Sequence, residues 1–445
     1  MSNNVVTRIA PSPTGEMHIG TVRTALFNYL FAKQQGGTYF VRIEDTDKER
    51  NKPEWIDAIW RDFEWCGIVP DKKYIQSEHL PRHRELLKKL IAEDKAYISK
   101  EPKKDDPSKE VEVVRLRNPG TSVTFNDLVR GDVTFDTAEL GDFVIARSVD
   151  DPLYHFAVVV DDGDAGVTHV LRAEEHISNT PRQILILEAL GFARPVYGHF
   201  PLILAPDRSK LSKRKHGASI HSYREQGFIP EAVINYLALL GWNPGTEQEL
   251  FTLEELLQNF NIERMQKGGA IFDIQKMKWF NHEHLKRLSD YAFAERLEEF
   301  MKMIGEELPP YTAEVIPLLK ERYETLLEAT DALKGGEFDF LNPGFEAPSA
   351  TLLLEGAKVH AEAVVAHFNE LERLLGAVPD EEFTVASVKE AVFPYATEAG
   401  RAGVLWPMRV ALSGKEKSPD PFTLAGLLGK KETLSRLKGA LAVLK

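Results

Sequence analysis

The chain has 445 residues, 43% hydrophobic and 28% charged, with a single cysteine (Cys66) and a formal net charge of −13. This length supports about three domains with sizeable buried cores, which excludes whole-chain disorder; one cysteine excludes an internal disulfide or a cysteine-rich zinc site and fits a reducing compartment. No apolar run approaches the ~18 residues of a membrane helix, the N-terminus has no signal-peptide pattern, and the acidic balance argues against general phosphate affinity while leaving room for a local basic face.

Residues 5–10 (VVTRIA) read as a buried strand, and the breaker cluster PSPTG at 11–15 as a loop. From residue 18 to about 35, Val22, Ala25, Leu26, Tyr29 and Leu30 recur at helical spacing, and Gly36-Gly37 closes the helix. The run TYFVRI at 38–43 is a second strand. Strand, loop, helix, strand is a βαβ unit, so a parallel sheet is expected, with ligands beyond its C-terminal strand ends. Helices are expected at 54–65 and 82–93, and a polar loop at 100–110 (KEPKKDDPSKE). Short β-like runs at 111–117, 133–135, 143–147 and 155–160 suggest a β-rich insertion. A helix follows at 180–190 and a strand at 199–204. From about 230 the pattern is mostly helical, clearest at 285–304, 312–332, 349–375 and 381–399. Gly335-Gly336 and 342–348 (NPGFEAP) read as linkers.

Four segments carry chemistry. In the first, the loop at 11–17 feeds a helix whose first turn holds His18 and Gly20. A helix N-terminus suits phosphate, His18 adds hydrogen bonds, and Gly20 lets a flat group such as adenine lie against the backbone. The second, KLSKRKHG at 210–217, lies in a stretch with five cations between Arg208 and Lys215 in an otherwise acidic chain. Such a loop can grip a triphosphate and neutralise a leaving pyrophosphate, or contact a nucleic-acid backbone. The third is RIEDTD at 42–47, whose carboxylates could bind an ammonium or a metal; for Asp45 and Asp47 a plain polar loop is favoured. The fourth is RAEEH at 172–176, where Arg172 is either an anion receptor or half of a structural ion pair. His282 and His284 stand two apart and would not share a helix face, so a metal site there is not expected. Trp55, Trp60 and Trp65 read as packing.

HIGT and KLSKR together resemble the paired signatures of class I aminoacyl-tRNA synthetases. RIAPSPTGEMHIGTVRTALFNYLFAKQQGG, VRIEDTD, LRAEEHISNTPRQ, KLSKRKHGASI and PEAVINYLALLGW all look like bacterial glutamyl-tRNA synthetases. The resemblance spans essentially the whole chain. It implies an α/β Rossmann-like catalytic domain with a β-rich insertion, followed by an all-α anticodon-binding half. The expected boundaries are catalytic 1–85 and 161–205, an inserted acceptor-end domain at 86–160, the KLSKR loop and stem-contact region at 206–285, and helical subdomains at 286–348 and 349–445.

The resemblance also implies roles. His18 and Gly20 contact ATP, with Thr21 where the motif commonly ends in histidine. Lys210, Leu211, Ser212 and Lys213 form the loop that clamps the triphosphate, with His18, Lys210 and Lys213 as catalytic groups. Arg8, Ala10, Ser12, Glu44, Tyr154 and Arg172 form the glutamate pocket, Glu44 facing the α-ammonium and Arg8, Tyr154 and Arg172 surrounding carboxylate. Arginine can take a carboxylate bidentately, which suits glutamate over its amide. Arg322 falls where some members reject a glutamine-type anticodon. ATP with Mg²⁺, L-glutamate and tRNA(Glu) are the expected cofactor and partners, in a cytoplasmic monomer. Some relatives carry a Cys/His zinc site in the insertion; residues 97–117 here contain neither residue, so no zinc is expected. The rival reading is an enzyme that also charges tRNA(Gln); a small-molecule nucleotidyltransferase or an idle tRNA-binding module fits the whole chain less well.

Overall fold

The computed structural model describes residues 4–46, 49–103, 106–212, 217–342 and 344–445. They form two compact units, Met1–His284 and Leu285–Lys445.

The first unit opens with β1 (Val6–Ile9), α1 (Ile19–Gln34), β2 (Thr38–Ile43), α2 (Pro53–Trp65) and β3 (Lys72–Ile75). β1 pairs parallel with β2, and β2 with β3. Tyr39, Val41 and Ile43 point into one core and Phe40 into another, the two-residue alternation of a strand covered on both faces. Gly37 lies where β2 starts beside β1; a Cβ there would run into the Val5 carbonyl. α3 (Leu80–Ala92) leads into β4 (Ala96–Lys103), β5 (Asp106–Leu116), β6 (Ser122–Asp127), β7 (Gly131–Asp136), β8 (Phe143–Ser148) and β9 (Asp151–Pro152). Strands β4, β5, β8 and β9 make an antiparallel sheet, in that order. The β6–β7 hairpin instead extends the main fold. β6 pairs parallel with β11 (Val196–Phe200), which pairs with β10 (His169–Ala173). The Thr168 amide donates to Val6 O at 3.0 Å, which draws β10 against β1.

Two helices, α4 (Tyr154–Asp164) and α5 (Thr180–Leu190), flank β10. After β11 come β12 (Ile203–Leu204), α6 (Ile220–Glu225), α7 (Pro230–Leu239), α8 (Leu253–Asn259), β13 (Ala270–Ile271) and α9 (Ile274–Arg287). Thr252 and Glu255 close a reciprocal capping box on α8. The core around Phe27, Phe200, Phe260 and Trp242 lies on one side of the sheet; the one around Phe125, Phe156 and Ile184 belongs to the other.

The second unit is helical: α10 (Asp290–Met303), α11 (Thr312–Arg322), α12 (Leu326–Lys334), α13 (Ala350–Glu355), α14 (Ala361–Ala377), α15 (Val385–Ala399), α16 (Arg401–Ser413) and α17 (Pro421–Leu444). Among the described residues no helix is long and apolar enough to cross a membrane.

Several sequence expectations change. Of the polar stretch expected to be a loop at 100–110, residues 100–103 belong to β4 and 106–110 to β5, whose pairing runs from Ala96↔Leu116 to Lys103↔Asp106, and residues 104 and 105 lie outside the described residues. The run at 155–160 is helical: residues 156–160 are all buried, and a continuous apolar run does not separate a buried strand from a buried helix. The strand expected at 199–204 breaks at Pro201 into β11 and β12. Three long helices are interrupted: Ser289 and Thr325 are N-caps whose side chains accept from the start of a new helix, and the helix expected at 349–375, capped by Ser349, breaks between α13 and α14, where Lys358 has φ +58°. Trp60 and Trp65 pack against the core.

Candidate functional site

A cavity of about 560 Å³ opens beyond the C-terminal ends of β1, β2 and β10. Arg8, Ala10 and Ser12 enter it from β1 and the loop after it, His18 and Gly20 from the start of α1, and Glu44 from the end of β2. Tyr154 opens α4, and Arg172 sits on β10. Lys210, Leu211 and Ser212 complete the wall. Eleven residues named from sequence therefore share one cavity, although nothing local in the chain links positions 8, 44, 154, 172 and 210. Lys213 and Asp47 lie outside the described residues. Arg322 belongs to the second unit, where its guanidinium is paired with Glu337 and stands 5.7 Å from the Tyr323 ring.

His18 is the N-cap of α1, and its Nδ1 accepts from the Gly20 amide at 2.9 Å. With Nδ1 an acceptor, a neutral ring carries its proton on Nε2. A Cβ at position 20 would stand 3.0 Å from the imidazole, so glycine permits the cap.

Arg8 and Glu44 sit in a buried ionic cluster. Arg8 engages Asp162 bidentately, Nε donating to Oδ1 at 3.1 Å and Nη2 to Oδ2 at 2.9 Å, and Arg42 reaches Asp162 at 2.6 Å and Glu44 at 3.1 Å. Burial raises the Asp162 pKa, but Arg8 and Arg42 outweigh it and hold the carboxylate below its ordinary range. Burial raises the Glu44 carboxyl above its usual value, against the pull of Arg42. Behind them Asp161 accepts from Gln76 at 2.7 Å and contacts His83 Nε2 at 2.6 Å. Asp45 accepts from the Ser77 amide and hydroxyl, at 2.8 and 2.6 Å, in the turn that follows β3, which makes it structural.

Arg172 is different. It is buried, and its hydrogen-bond partners, His199 Nε2 at 3.2 Å and Thr180 Oγ1 at 2.9 Å, are uncharged. Among the described residues no carboxylate forms an ion pair with it. Burial lowers its pKa. Across the cavity Lys210 pairs with Glu175.

Sequence reasoning missed several lining groups. His176 lines the cavity with its pKa pushed down to about 4, by burial first and by Arg172 second, so it is neutral at physiological pH. Arg23 is buried, with its pKa lowered to about 9 by burial, and donates to the carbonyls of Leu240 (2.8 Å) and Pro201. His176 follows Arg172 in the quoted RAEEH segment, and Arg23 lies one helical turn beyond Gly20; those positions were the available signals.

Comparison with known proteins adds the following. Residues 4–111 and 98–279 match the family described as tRNA synthetases class I (E and Q), catalytic domain, and residues 292–441 match the anticodon binding domain. The chain is 38% identical to glutamate--tRNA ligase 1 of Acidithiobacillus ferrooxidans and 38% identical to glutamate--tRNA ligase of Geobacter sulfurreducens, with 99% of both chains covered in each case. Among solved structures it resembles a glutamate tRNA ligase from Elizabethkingia meningosepticum in complex with its amino acid, with a TM-score of 0.82, 29% identity and 100% of both chains covered. A glutamate-tRNA synthetase from Elizabethkingia anophelis gives a TM-score of 0.80 at 28% identity, covering 99% of this chain and 100% of that one.

Proposed function

This chain belongs to the class I tRNA synthetases of the glutamate and glutamine type, and we propose from that premise that it joins L-glutamate to tRNA(Glu) using ATP. The observation that carries the reading is the shared cavity: ammonium-, carboxylate- and phosphate-binding groups converge on one space in a chain similar along its whole length to glutamate--tRNA ligases. ATP is a substrate, and Mg²⁺ accompanies it as the counter-ion of the triphosphate.

Two steps follow. An α-carboxylate oxygen of glutamate attacks the α-phosphorus of ATP, a P–O bond forms, and pyrophosphate leaves. A hydroxyl of the terminal ribose of tRNA then attacks the acyl carbon, and AMP leaves. The attacking group is the substrate's own carboxylate, so the protein's contribution is positioning and charge stabilisation. Glu44 receives the α-ammonium. Arg172, whose partners are neutral, offers its charge to the side-chain carboxylate, flanked by Arg8 and Tyr154. Ala10 and Ser12 shape the loop around the substrate. His18, Gly20 and the start of α1 face the nucleotide. Lys210, Leu211, Ser212 and Lys213 face the triphosphate, with Lys210 exchanging Glu175 for phosphate oxygen. The antiparallel sheet of β4, β5, β8 and β9 is assigned to the acceptor end, within the boundaries expected from sequence. Arg322 is assigned to the anticodon.

Glutamate-dependent exchange of labelled pyrophosphate into ATP, run with and without tRNA, tests the chemistry. Glutamate should support exchange, and glutamine and aspartate should not. Lys213→Ala should lower kcat far more than it raises the KM for glutamate. Near-normal turnover in that variant removes Lys213 from the role; exchange supported by no amino acid removes the reading.

A further inference from the structure

Behind Arg172 lies a chain of groups that leads away from the cavity. Arg172 Nε donates to His199 Nε2 at 3.2 Å. His199 Nδ1 lies 2.5 Å from Asp127 Oδ2. Both His199 and Asp127 are buried, with side chains 0% exposed. Asp127 is itself held: its Oδ1 accepts from the amides of Val129 and Arg130, both at 2.9 Å, and of His199 at 3.2 Å. β6, which ends in Asp127, pairs with β11, which carries His199. Neither residue lines the cavity.

We propose that Asp127 and His199 are positioning residues that fix Arg172 for the substrate's side-chain carboxylate while leaving its charge uncompensated. An ionised Asp127 can only accept, so it holds the proton of a neutral His199 on Nδ1. Nε2 is then a lone-pair acceptor aimed at the Arg172 N–H. The opposite tautomer would set N–H against N–H. Burial disfavours a charged ring at His199, although Asp127 pulls the other way, and the net direction is down. Asp127 is held below the ordinary carboxylate range despite its burial, by His199 and the backbone amides.

A carboxylate in the place of His199 would hold Arg172 equally well, but it would cancel the charge. That is the arrangement at Arg8, where Asp162 is the partner. A neutral acceptor orients the guanidinium and keeps its full charge for an anionic side chain over the neutral amide. Thr180 is a second neutral acceptor beside His199: its hydroxyl accepts from Arg172 Nη2 at 2.9 Å and lies 3.2 Å from His199 Nε2. The inference rests on the reading of Arg172 as the carboxylate receptor.

The test is a set of variants of the full chain assayed for glutamate activation. In Asp127→Asn the side chain keeps its shape, but its amide can donate to Nδ1 and drive the proton to Nε2. We expect the KM for glutamate to rise about tenfold or more, the KM for ATP to stay as it is, and the preference for glutamate over glutamine to fall. His199→Gln keeps an oxygen acceptor opposite Arg172 and should restore most of what His199→Leu loses. In the His199→Gln background Asp127→Asn should change the glutamate KM little, because no tautomer remains to be set. Equal effects of Asp127→Asn in both backgrounds, or equal rises in the KM for glutamate and ATP, overturn the proposal. An unchanged glutamate KM in Arg172→Lys overturns the receptor reading beneath it, whereas a loss there with a silent Asp127→Asn overturns only the positioning role. Should the variants fail to fold, nitrogen-15 spectra of histidine-labelled wild-type protein decide: a proton on Nδ1 of His199 is expected, and one on Nε2 contradicts it.

Discussion

At the scale of single residues, Asp162 holds two buried cations in place. Arg8 and Arg42 both end on this one carboxylate. Its removal would leave two guanidinium groups buried and underpaired. Breaking a buried ion pair from one side costs about 3–5 kcal/mol, far above the near-zero value of an exposed pair. Asp162→Asn should therefore lower the melting temperature markedly at pH 7. The pH dependence has a definite sign. The folded-state pKa of Asp162 lies below 3.8, so its stabilisation is present above that value and is lost as pH falls through the folded pKa. The gap between wild type and variant should shrink in acid; a gap equally wide at pH 3 and pH 7 would show that charge is not its origin. Sequence made Arg8, Glu44 and Arg172 visible, because each stands in a recognisable segment. Asp162, His199 and Asp127 were not visible. Their partners are 154, 27 and 72 positions away along the chain, and no local pattern records such pairing.

At the scale of elements, amphipathic periodicity located most helices, while caps and breaks set their ends. The helix expected over 312–332 splits because the hydroxyl of Thr325 accepts from the Glu328 amide and starts α12. The val-rich run in α4 misled because both periods fit an unbroken apolar stretch. The alternation in β6, SVTFND with every second residue buried, was legible and passed over. One helix carries a titration. Asp62 on α2 has its pKa raised to about 6, burial outweighing the pull of His221 and Arg224 on α6. A raised carboxyl contributes stability below its unfolded value near 3.8, which is lost as pH climbs to about 6, so folded protein at neutral pH holds a disfavoured charge there. Asp62→Asn should raise the melting temperature at pH 7.5 and leave it nearly unchanged at pH 4. Equal shifts at both values would mean that packing, not charge, changed.

At the scale of the molecule, the chain separates chemistry from helical recognition: the cavity belongs to Met1–His284, and the family's anticodon-binding match to Leu285–Lys445. An acidic protein of net charge −13 must meet tRNA through local cations rather than overall attraction. Arg322 is paired with Glu337, so the anticodon role proposed for it would require tRNA to take the place of that carboxylate. Arg322→Ala should leave glutamate-dependent pyrophosphate exchange intact while weakening the preference for tRNA(Glu) over tRNA(Gln); unchanged preference would release Arg322 from the role. What the molecule does as a whole is ligation. It is tested most directly by incubating the purified protein with labelled glutamate, ATP and Mg²⁺ and either tRNA(Glu) or tRNA(Gln), and counting acid-precipitable label on the tRNA. Label on tRNA(Glu) is expected; folded, ATP-binding protein that labels neither tRNA would refute the ligase reading.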